Sequence, residues 1–141
     1  MADVAYLIAR LALPIIFIVS GTAKFLDVSR IAAHPALTNF MNAFGKITSR
    51  TTFGYIIAAI EVFGGISVLL GLRARWGAIA LLLFTACTII FAHNFWTMEG
   101  AARAANQVLA LKNLSIMAGL LVFAVMRSGR YSVDELLGRR R

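Results

Sequence analysis

Five ionisable residues lie within long apolar stretches of the sequence: Arg10, Lys24, Glu61, His93 and Lys112. A charged side chain at bilayer depth costs about 2.5–3.5 kcal/mol on insertion scales, so such residues usually face a helix bundle and find partners there. A carboxylate, two amines and an imidazole that meet inside a bundle could bind the polar headgroup of an amphiphile and control its access to protons. We therefore predict an intramembrane polar cluster of Lys24, Glu61, His93 and Lys112, with Glu61 in contact with Lys24 or Lys112.

The composition predicts that these residues belong to an integral membrane protein. The 141-residue chain is 60% hydrophobic and 14% charged, whereas a soluble domain is about 45–50% apolar and about 25% charged. A domain of this size cannot bury so much apolar surface in its own core. The expected partner is therefore a lipid bilayer, and the length predicts a single domain over residues 1–141.

Four apolar stretches are long enough to cross a hydrocarbon layer about 30 Å thick: Tyr6–Leu26, Phe53–Leu72, Trp76–Trp96 and Val108–Met126. The segment between the first two stretches is too polar to cross. Its apolar residues from Leu37 to Ile47 follow helical spacing, and Pro35 could begin the helix. The predicted fold is thus all-α, a bundle of four transmembrane helices with a short amphipathic helix at the membrane surface; an irregular lid is the alternative for that segment.

The basic residues predict the orientation of the chain. Four spans place both termini on one side, and that side carries seven loop or tail arginines against four basic residues on the other, an asymmetry that favours cytoplasmic termini. The formal net charge of +8 therefore suits lipid headgroups, and the basic residues are not interleaved on a polar face as in nucleic-acid-binding modules. The two sets are Arg73, Arg75, Arg127, Arg130, Arg139, Arg140 and Arg141 on the terminal side, and Arg30, Lys46, Arg50 and Arg103 on the other.

Helical geometry places four of the ionisable residues in the half of the bilayer away from the termini. Lys24 lies near the outer end of the first span, and Glu61 lies about 12 Å below the outer start of the second. His93 falls at the outer end of the third span, and Lys112 falls one turn into the fourth. Two interpretations stay open: the charges line a pocket for an anionic or quinone-like headgroup, or they only hold the helices together.

Arg10 stands apart from this cluster, about 20 Å from Lys24 along the helix. We expect Arg10 to anchor the terminal side by reaching headgroups or the carboxylates of Asp134 and Glu135. The polar tail carries a candidate N-cap, Ser132, which predicts a short helix after it.

Several kinds of chemistry find no support in the sequence. Haem between helices usually needs a second axial ligand, and the other histidine, His34, lies in a loop before Pro35, so haem and metal sites are not expected. The single cysteine, Cys87, lies in an apolar stretch and is expected to serve packing. No nucleophile–base pair, phosphate loop or dinucleotide fingerprint appears, so the sequence assigns no catalytic residue.

Six short motifs, in this order and spacing, resemble the DoxX family over nearly the whole chain. They are Ser20-Gly21-Thr22-Ala23-Lys24-Phe25, Glu61-Val62-Phe63-Gly64-Gly65, Gly71-Leu72-Arg73-Ala74-Arg75, His93-Asn94-Phe95-Trp96, Lys112-Asn113-Leu114 and Ser132-Val133-Asp134. The resemblance implies a four-helix protein of the bacterial inner membrane, in a family of which some members are tied to quinone-linked sulfur oxidation or redox-stress complexes. The family-like positions are Arg10, Lys24, Glu61, His93, Lys112 and Asn113.

Two functional hypotheses follow from the residues and the resemblance together. In the first, the chain is a redox-accessory protein that holds a quinone-like amphiphile in the outer-half pocket. In the second, it is a structural subunit, packed against a larger respiratory, photosynthetic or transport complex or against copies of itself, with no site of its own. A transporter or lipid-handling protein is a third alternative, but Pro14 offers one helix break without a counterpart elsewhere.

Overall fold

The computed structural model describes residues 1–45, 48–126 and 128–138, and these ranges contain helices but no strand. Four helical stretches are long and apolar enough to cross a membrane: Ala2–Leu26, Arg50–Leu70, Ala74–Thr97 and Gly100–Val125. We call them span one to span four. The predicted fold class, an all-helical membrane bundle with four spans, is confirmed.

Span one consists of two helices, α1 (Ala2–Ala12) and α2 (Ile15–Leu26), separated by a break at Pro14. Proline has no N–H to donate, and its ring collides with the carbonyl four residues earlier, which here belongs to Arg10. The two halves therefore pack differently: α2 lies closely along the second span, whereas α1 makes much less contact with it.

The connection between spans one and two contains α3 (Val28–Ala32) and α4 (Pro35–Phe44). His34 caps α4, since its Nδ1 accepts a hydrogen bond of 3.2 Å from the backbone N–H of Ala36, and proline suits the first helical position. The short helix expected to begin at Pro35 is present.

Aromatic contacts fix α4 onto the ends of spans two and three that lie away from the Gly71 turn. The ring of Phe40 lies 5.1 Å from that of Phe53 and 5.3 Å from that of Phe91. Lys46, a predicted outer-side cation, and Ile47, the last residue of the predicted apolar stripe, lie outside the described residues.

Spans two and three form an antiparallel pair, α5 (Arg50–Leu70) and α6 (Ala74–Phe91), joined by a tight turn. Gly71 has a φ of +67°, and the N–H of Leu72 donates to the carbonyl of Ser67 across 3.1 Å. A glycine in the left-handed region with this bond is a common way to end a helix. Both tryptophans of span three, Trp76 and Trp96, are exposed and lie near its two ends, where aromatic residues of membrane spans are enriched.

Span four, α7 (Gly100–Val125), follows a 3-10 turn at Phe95–Thr97 and begins eight residues before the predicted Val108. Residues 100–107 are rich in alanine, which favours helix, but include Arg103 and Asn106, so hydropathy alone does not reveal this part. The predicted tail helix is also present, as α8 (Val133–Leu136), and the Ser132 Oγ caps it by accepting the N–H of Glu135 at 3.2 Å.

The core lies in the terminal half of the bundle, where all four spans contribute side chains. Its buried members are Phe17, Val68, Ala78, Leu81, Leu120, Phe123 and Ala124. The polar residues of interest lie on either side of this apolar layer.

Candidate functional site

Lys24, Glu61 and Ser20 form a compact polar cluster between α2 and α5. The Lys24 Nζ lies 2.6 Å from Glu61 Oε2 and also donates to Ser20 Oγ at 2.6 Å. Ser20 Oγ in turn donates to Glu61 Oε1 across 3.1 Å. The predicted contact between Glu61 and Lys24 is confirmed. Among the described residues, Glu61 forms its ion pair with Lys24 and not with the alternative, Lys112.

The direction of helical side chains explains why Lys24 and Glu61 meet. Side chains in an α-helix lean toward the N-terminus. Because α2 and α5 are antiparallel, their side chains lean in opposite directions along the bundle axis. Lys24, near the end of α2, leans toward the end of the bundle that holds the termini. Glu61, the twelfth residue of the 21-residue α5, leans toward the opposite end, so the two side chains meet. The Lys24 and Ser20 side chains lie on one face of α2 because they are four residues apart.

A close approach of the two helices brings the cluster together. A Cβ on Gly21 would lie only 2.7 Å from Val62 Cγ2 and 2.9 Å from the Ala58 carbonyl oxygen. Small residues permit such contacts between membrane helices. A Cβ on Gly65 would likewise lie 2.7 Å from Ile18 Cγ1, so the face of α5 that carries Ala58, Glu61 and Gly65 packs on span one.

Counting donors and acceptors shows what the cluster can still bind. A lysine ammonium has three protons, and two of those of Lys24 are used by Glu61 and Ser20. The side chain of Glu61 is 4% exposed, whereas that of Lys24 is 22% exposed. Within the part of the chain that the structure describes, the cluster thus holds a buried carboxylate behind a partly exposed amine with one donor left.

Two other predicted residues lie outside this cluster. His93 is half-buried in the turn after α6, and its Nδ1 lies 3.0 Å from Oδ1 of Asn106. This bond ties the turn to the polar first part of α7. Asn113 is half-buried on α7. No group of three or more metal-ligating side chains occurs within the described residues.

Lys112 is exposed on α7 and makes no hydrogen bond or ion pair with another residue of the described ranges. Gly119 and Phe123 follow Lys112 by seven and eleven residues, so the three share one face of the helix. Gly119 lies against Leu13, and Phe123 makes an edge-to-face contact with Tyr6. Lys112 is therefore on the face of α7 that contacts span one.

Arg10 occupies a second polar site, at the terminal end of the bundle. Its side chain is buried, and its guanidinium donates to the carbonyl oxygens of Ser128, at 2.5 Å, and of Tyr131. The prediction that Arg10 contacts the C-terminal tail is confirmed. The expected carboxylate partners were wrong, because Arg10 is hydrogen-bonded to two backbone carbonyls.

Asp134 completes this site by holding the tail to the turn between α5 and α6. Its Oδ2 accepts the backbone N–H of Arg73 and the hydroxyl of Ser128, each at 2.8 Å, and its own N–H donates to the Gly71 carbonyl. Arg73 has a φ of +50°, an uncommon conformation for a residue with a side chain. The Gly71 and Ser132 motifs, far apart in sequence, thus converge beside Arg10. Four other predicted terminal-side cations, Arg127 and residues 139–141, lie outside the described residues.

Sequence reasoning did not assign a role to Ser20, Ser128 or Gly71. Ser20 carried a usable signal, since it precedes Lys24 by one helical turn. Gly71 and Ser128 each accept a hydrogen bond through the backbone carbonyl, and a side-chain pattern gives no sign of that.

Comparison with known proteins agrees with the fold and the motifs. The family model described as DoxX matches residues 5–94. The chain is 29% identical over 140 residues to the inner membrane protein YqjF of Escherichia coli (strain K12), covering 99% of this chain and 97% of that protein. It is 30% identical over 133 residues to the inner membrane protein YphA of the same strain, covering 94% and 89%. No solved structure gives a significant match.

Proposed function

We propose, from the premise that this chain belongs to the DoxX family, that it is an inner-membrane protein that holds a quinone-like amphiphile. The headgroup would lie at the Lys24–Glu61 pair, and the protein would serve as an accessory to a redox system. Placement in the inner membrane is supported by the names of the two relatives and by four spans of sufficient length.

The observation that carries this proposal is the unused donor of Lys24. A bound carbonyl oxygen needs a hydrogen-bond donor that is reachable from the bilayer, and Lys24 is the accessible member of the cluster. Glu61 and Ser20 hold the ammonium in place through two bonds of 2.6 Å. The site therefore fits a headgroup with a carbonyl oxygen without any rearrangement of the pair.

Each residue has a distinct role in this proposal. Lys24 donates to the headgroup oxygen, Glu61 orients the ammonium through the ion pair, and Ser20 links the two. Quinones carry electrons and protons in respiratory chains, and these three side chains would bind and orient the headgroup. We therefore propose an accessory role within a quinone-linked oxidoreductase system.

We also propose that both termini are cytoplasmic, so that Lys24 opens toward the outer half of the bilayer. The basic residues on the terminal side support this orientation. Arg73, Arg75 and Arg130 of that set are all exposed.

The test is the quinone content of protein purified gently in native lipid. The quinone would be extracted with organic solvent, quantified by chromatography and expressed per mole of protein. We expect a constant ratio for the wild type and a sharply lower ratio in Lys24→Met and Glu61→Gln. Arg30→Met is a matched control, because it removes a cation from the exposed Arg30–Asp27 pair, 3.5 Å apart. Wild-type protein without quinone, or variants that retain it fully, would count decisively against the proposal.

The competing hypothesis, a structural subunit without a site, makes a different prediction on the same material. Such a subunit would migrate on native gels with a larger complex and contain no bound amphiphile. A band at the size of a monomer or small oligomer, with quinone present, would favour the proposed function.

A further inference from the structure

The first half of span one, α1, is attached to the rest of the protein mainly through one buried side chain. Of its described residues, Ala2–Ala12, Arg10 is the one that is buried. The Arg10 guanidinium donates to the carbonyl oxygens of Ser128 and Tyr131 in the tail. By contrast, α1 makes much less contact with α5 than α2 does. The buried attachment of α1 is therefore to the tail and not to a neighbouring span.

Apolar packing adds little to this attachment. Lipid chains are as apolar as leucine, so a membrane helix gains no hydrophobic stabilisation by leaving lipid for a protein surface. Most of α1 is exposed, including Val4 and Leu11, and its ring contact joins Tyr6 to Phe123 at 5.3 Å. A guanidinium without partners at bilayer depth is costly. The position of α1 is therefore set chiefly by the hydrogen bonds of Arg10.

The tail is in turn fixed to the turn between α5 and α6. Asp134 Oδ2 accepts the backbone N–H of Arg73 at 2.8 Å, and the N–H of Asp134 donates to the carbonyl of Gly71 at 3.2 Å. The same carboxylate oxygen accepts the Ser128 hydroxyl at 2.8 Å, and the carbonyl of Ser128 binds Arg10. Ser128 therefore links the arginine to the aspartate. We call this network the tail latch; it consists of Arg10, Ser128, Tyr131 and Asp134.

Pro14 provides a pivot between α1 and α2. Proline donates no backbone N–H, so the carbonyl of Arg10 receives no helical bond from it, and the helix of span one is interrupted there. Sharp bends in helices occur at proline. On the other side of the break, α2 packs closely on α5 and is joined to it by the Lys24–Glu61 ion pair. Span one thus has one half fixed to α5 and one half held by the tail latch.

We infer that the tail latch is a conformational device: it holds α1 beside span four, and its release lets α1 turn about Pro14 while α2 stays in place. The inference does not depend on the proposed function. Within the described ranges, buried Arg10 Nε and Asp134 Oδ1 have no hydrogen-bond partner, and a partly satisfied polar network is less stable than a complete one. Any contact that draws the tail away from Arg10 therefore moves a membrane-spanning half-helix.

The size of the movement follows from the length of α1. Its 11 residues extend about 16 Å at 1.5 Å per residue. A turn of about 20° at the proline, the size of a sharp helix bend, moves the far end by about 5 Å.

The experiment measures distances between paired spin labels by double electron–electron resonance in nanodiscs. Labels on Val4 of α1 and Leu83 of α6 form the α1 pair. Labels on Val19 of α2 and Leu83 form the control pair, and all three positions are exposed. Cys87, a free cysteine, is first replaced by alanine so that only the introduced cysteines carry labels.

Two variants break the tail latch from its two ends: Arg10→Gln removes the guanidinium, and Asp134→Ala releases the tail from the α5–α6 turn. In each, we expect the distance distribution of the α1 pair to broaden and shift by about 5 Å, with the control pair unchanged. Adding Pro14→Ala to Arg10→Gln makes span one continuous and should narrow the distribution again. Arg30→Gln, which removes an exposed cation on α3, is the matched control and should leave both pairs unchanged.

Three results would overturn the inference. An unchanged α1 pair in either latch variant would mean that the tail does not hold α1. Broadening of both pairs, including loss of the fold, would mean that the tail holds the whole bundle and not one half of a span. A distribution that stays broad in Arg10→Gln/Pro14→Ala would show that Pro14 is not the pivot.

Discussion

Replacing Lys24 with methionine leaves the Glu61 carboxyl buried, with Ser20 as its remaining hydrogen-bond partner. Methionine has nearly the length of lysine without its charge, so the packing around the pair is largely kept. The substitution therefore isolates the electrostatic contribution of the pair from that of its shape.

The expected size of the effect follows from burial. Removing one member of a buried ion pair typically costs 3–5 kcal/mol, because the other charge is left uncompensated. Here Ser20 still donates to Glu61, and Lys24 is 22% exposed, so we expect a loss of about 2–4 kcal/mol. The double variant Lys24→Met/Glu61→Met removes both charges, and apolar replacements of buried pairs are often neutral or stabilising. We expect it to lie within about 1 kcal/mol of the wild type.

A double-mutant cycle measures this coupling directly. The free energy of unfolding would be followed by circular dichroism in mixed micelles for the wild type, both single variants and the double variant. The exposed Arg30–Asp27 pair provides the control cycle, with an expected coupling below about 1 kcal/mol. Additive effects of Lys24→Met and Glu61→Met would refute the account of the pair, since contacting residues couple.

Three further predictions concern other parts of the fold. Arg10→Gln removes charge-assisted bonds to two carbonyls and should cost about 2–4 kcal/mol, seen as faster amide exchange over residues 128–136; unchanged exchange would contradict the role given to Arg10. Gly21→Val should cost at least about 1–3 kcal/mol through overpacking, whereas Thr22→Val on the exposed side should not, and equal effects would mean that the helices do not approach there. A fluorescent protein that folds only in the cytoplasm should be active at the C-terminus, and activity of a phosphatase that folds only outside would reverse the orientation.

The Lys24–Glu61 contact could be predicted because Glu61 is the one acidic residue within the four predicted spans. A carboxylate at that depth needs a cation, and span directions limited the candidates. The choice between Lys24 and Lys112 could not be made from sequence. The choice depends on how closely two helices pack. Gly21 of α2 allows a close approach to α5 beside Lys24, and no glycine lies within one helical turn of Lys112 on α7.

The tail site shows a different limit. Arg10 was expected to pair with acidic side chains, since charge is visible in a sequence. Its actual partners are the carbonyls of Ser128 and Tyr131, which every residue possesses. Only the path of the chain after α7 decides which carbonyls reach a buried guanidinium.

The helix of span four begins before the predicted apolar stretch for a related reason. Hydropathy locates the part of a helix that lies in hydrocarbon, and α7 extends for two further turns beyond it, to Gly100. That extension brings Asn106 to His93 and so gives the histidine a partner other than Glu61.

A density map of the protein in nanodiscs of native lipid tests the central claim most directly. We predict a flat headgroup density within hydrogen-bond distance of Lys24 Nζ. A map in which Glu61 faces acyl chains, apart from Lys24 and with no bound molecule beside either residue, would contradict the account.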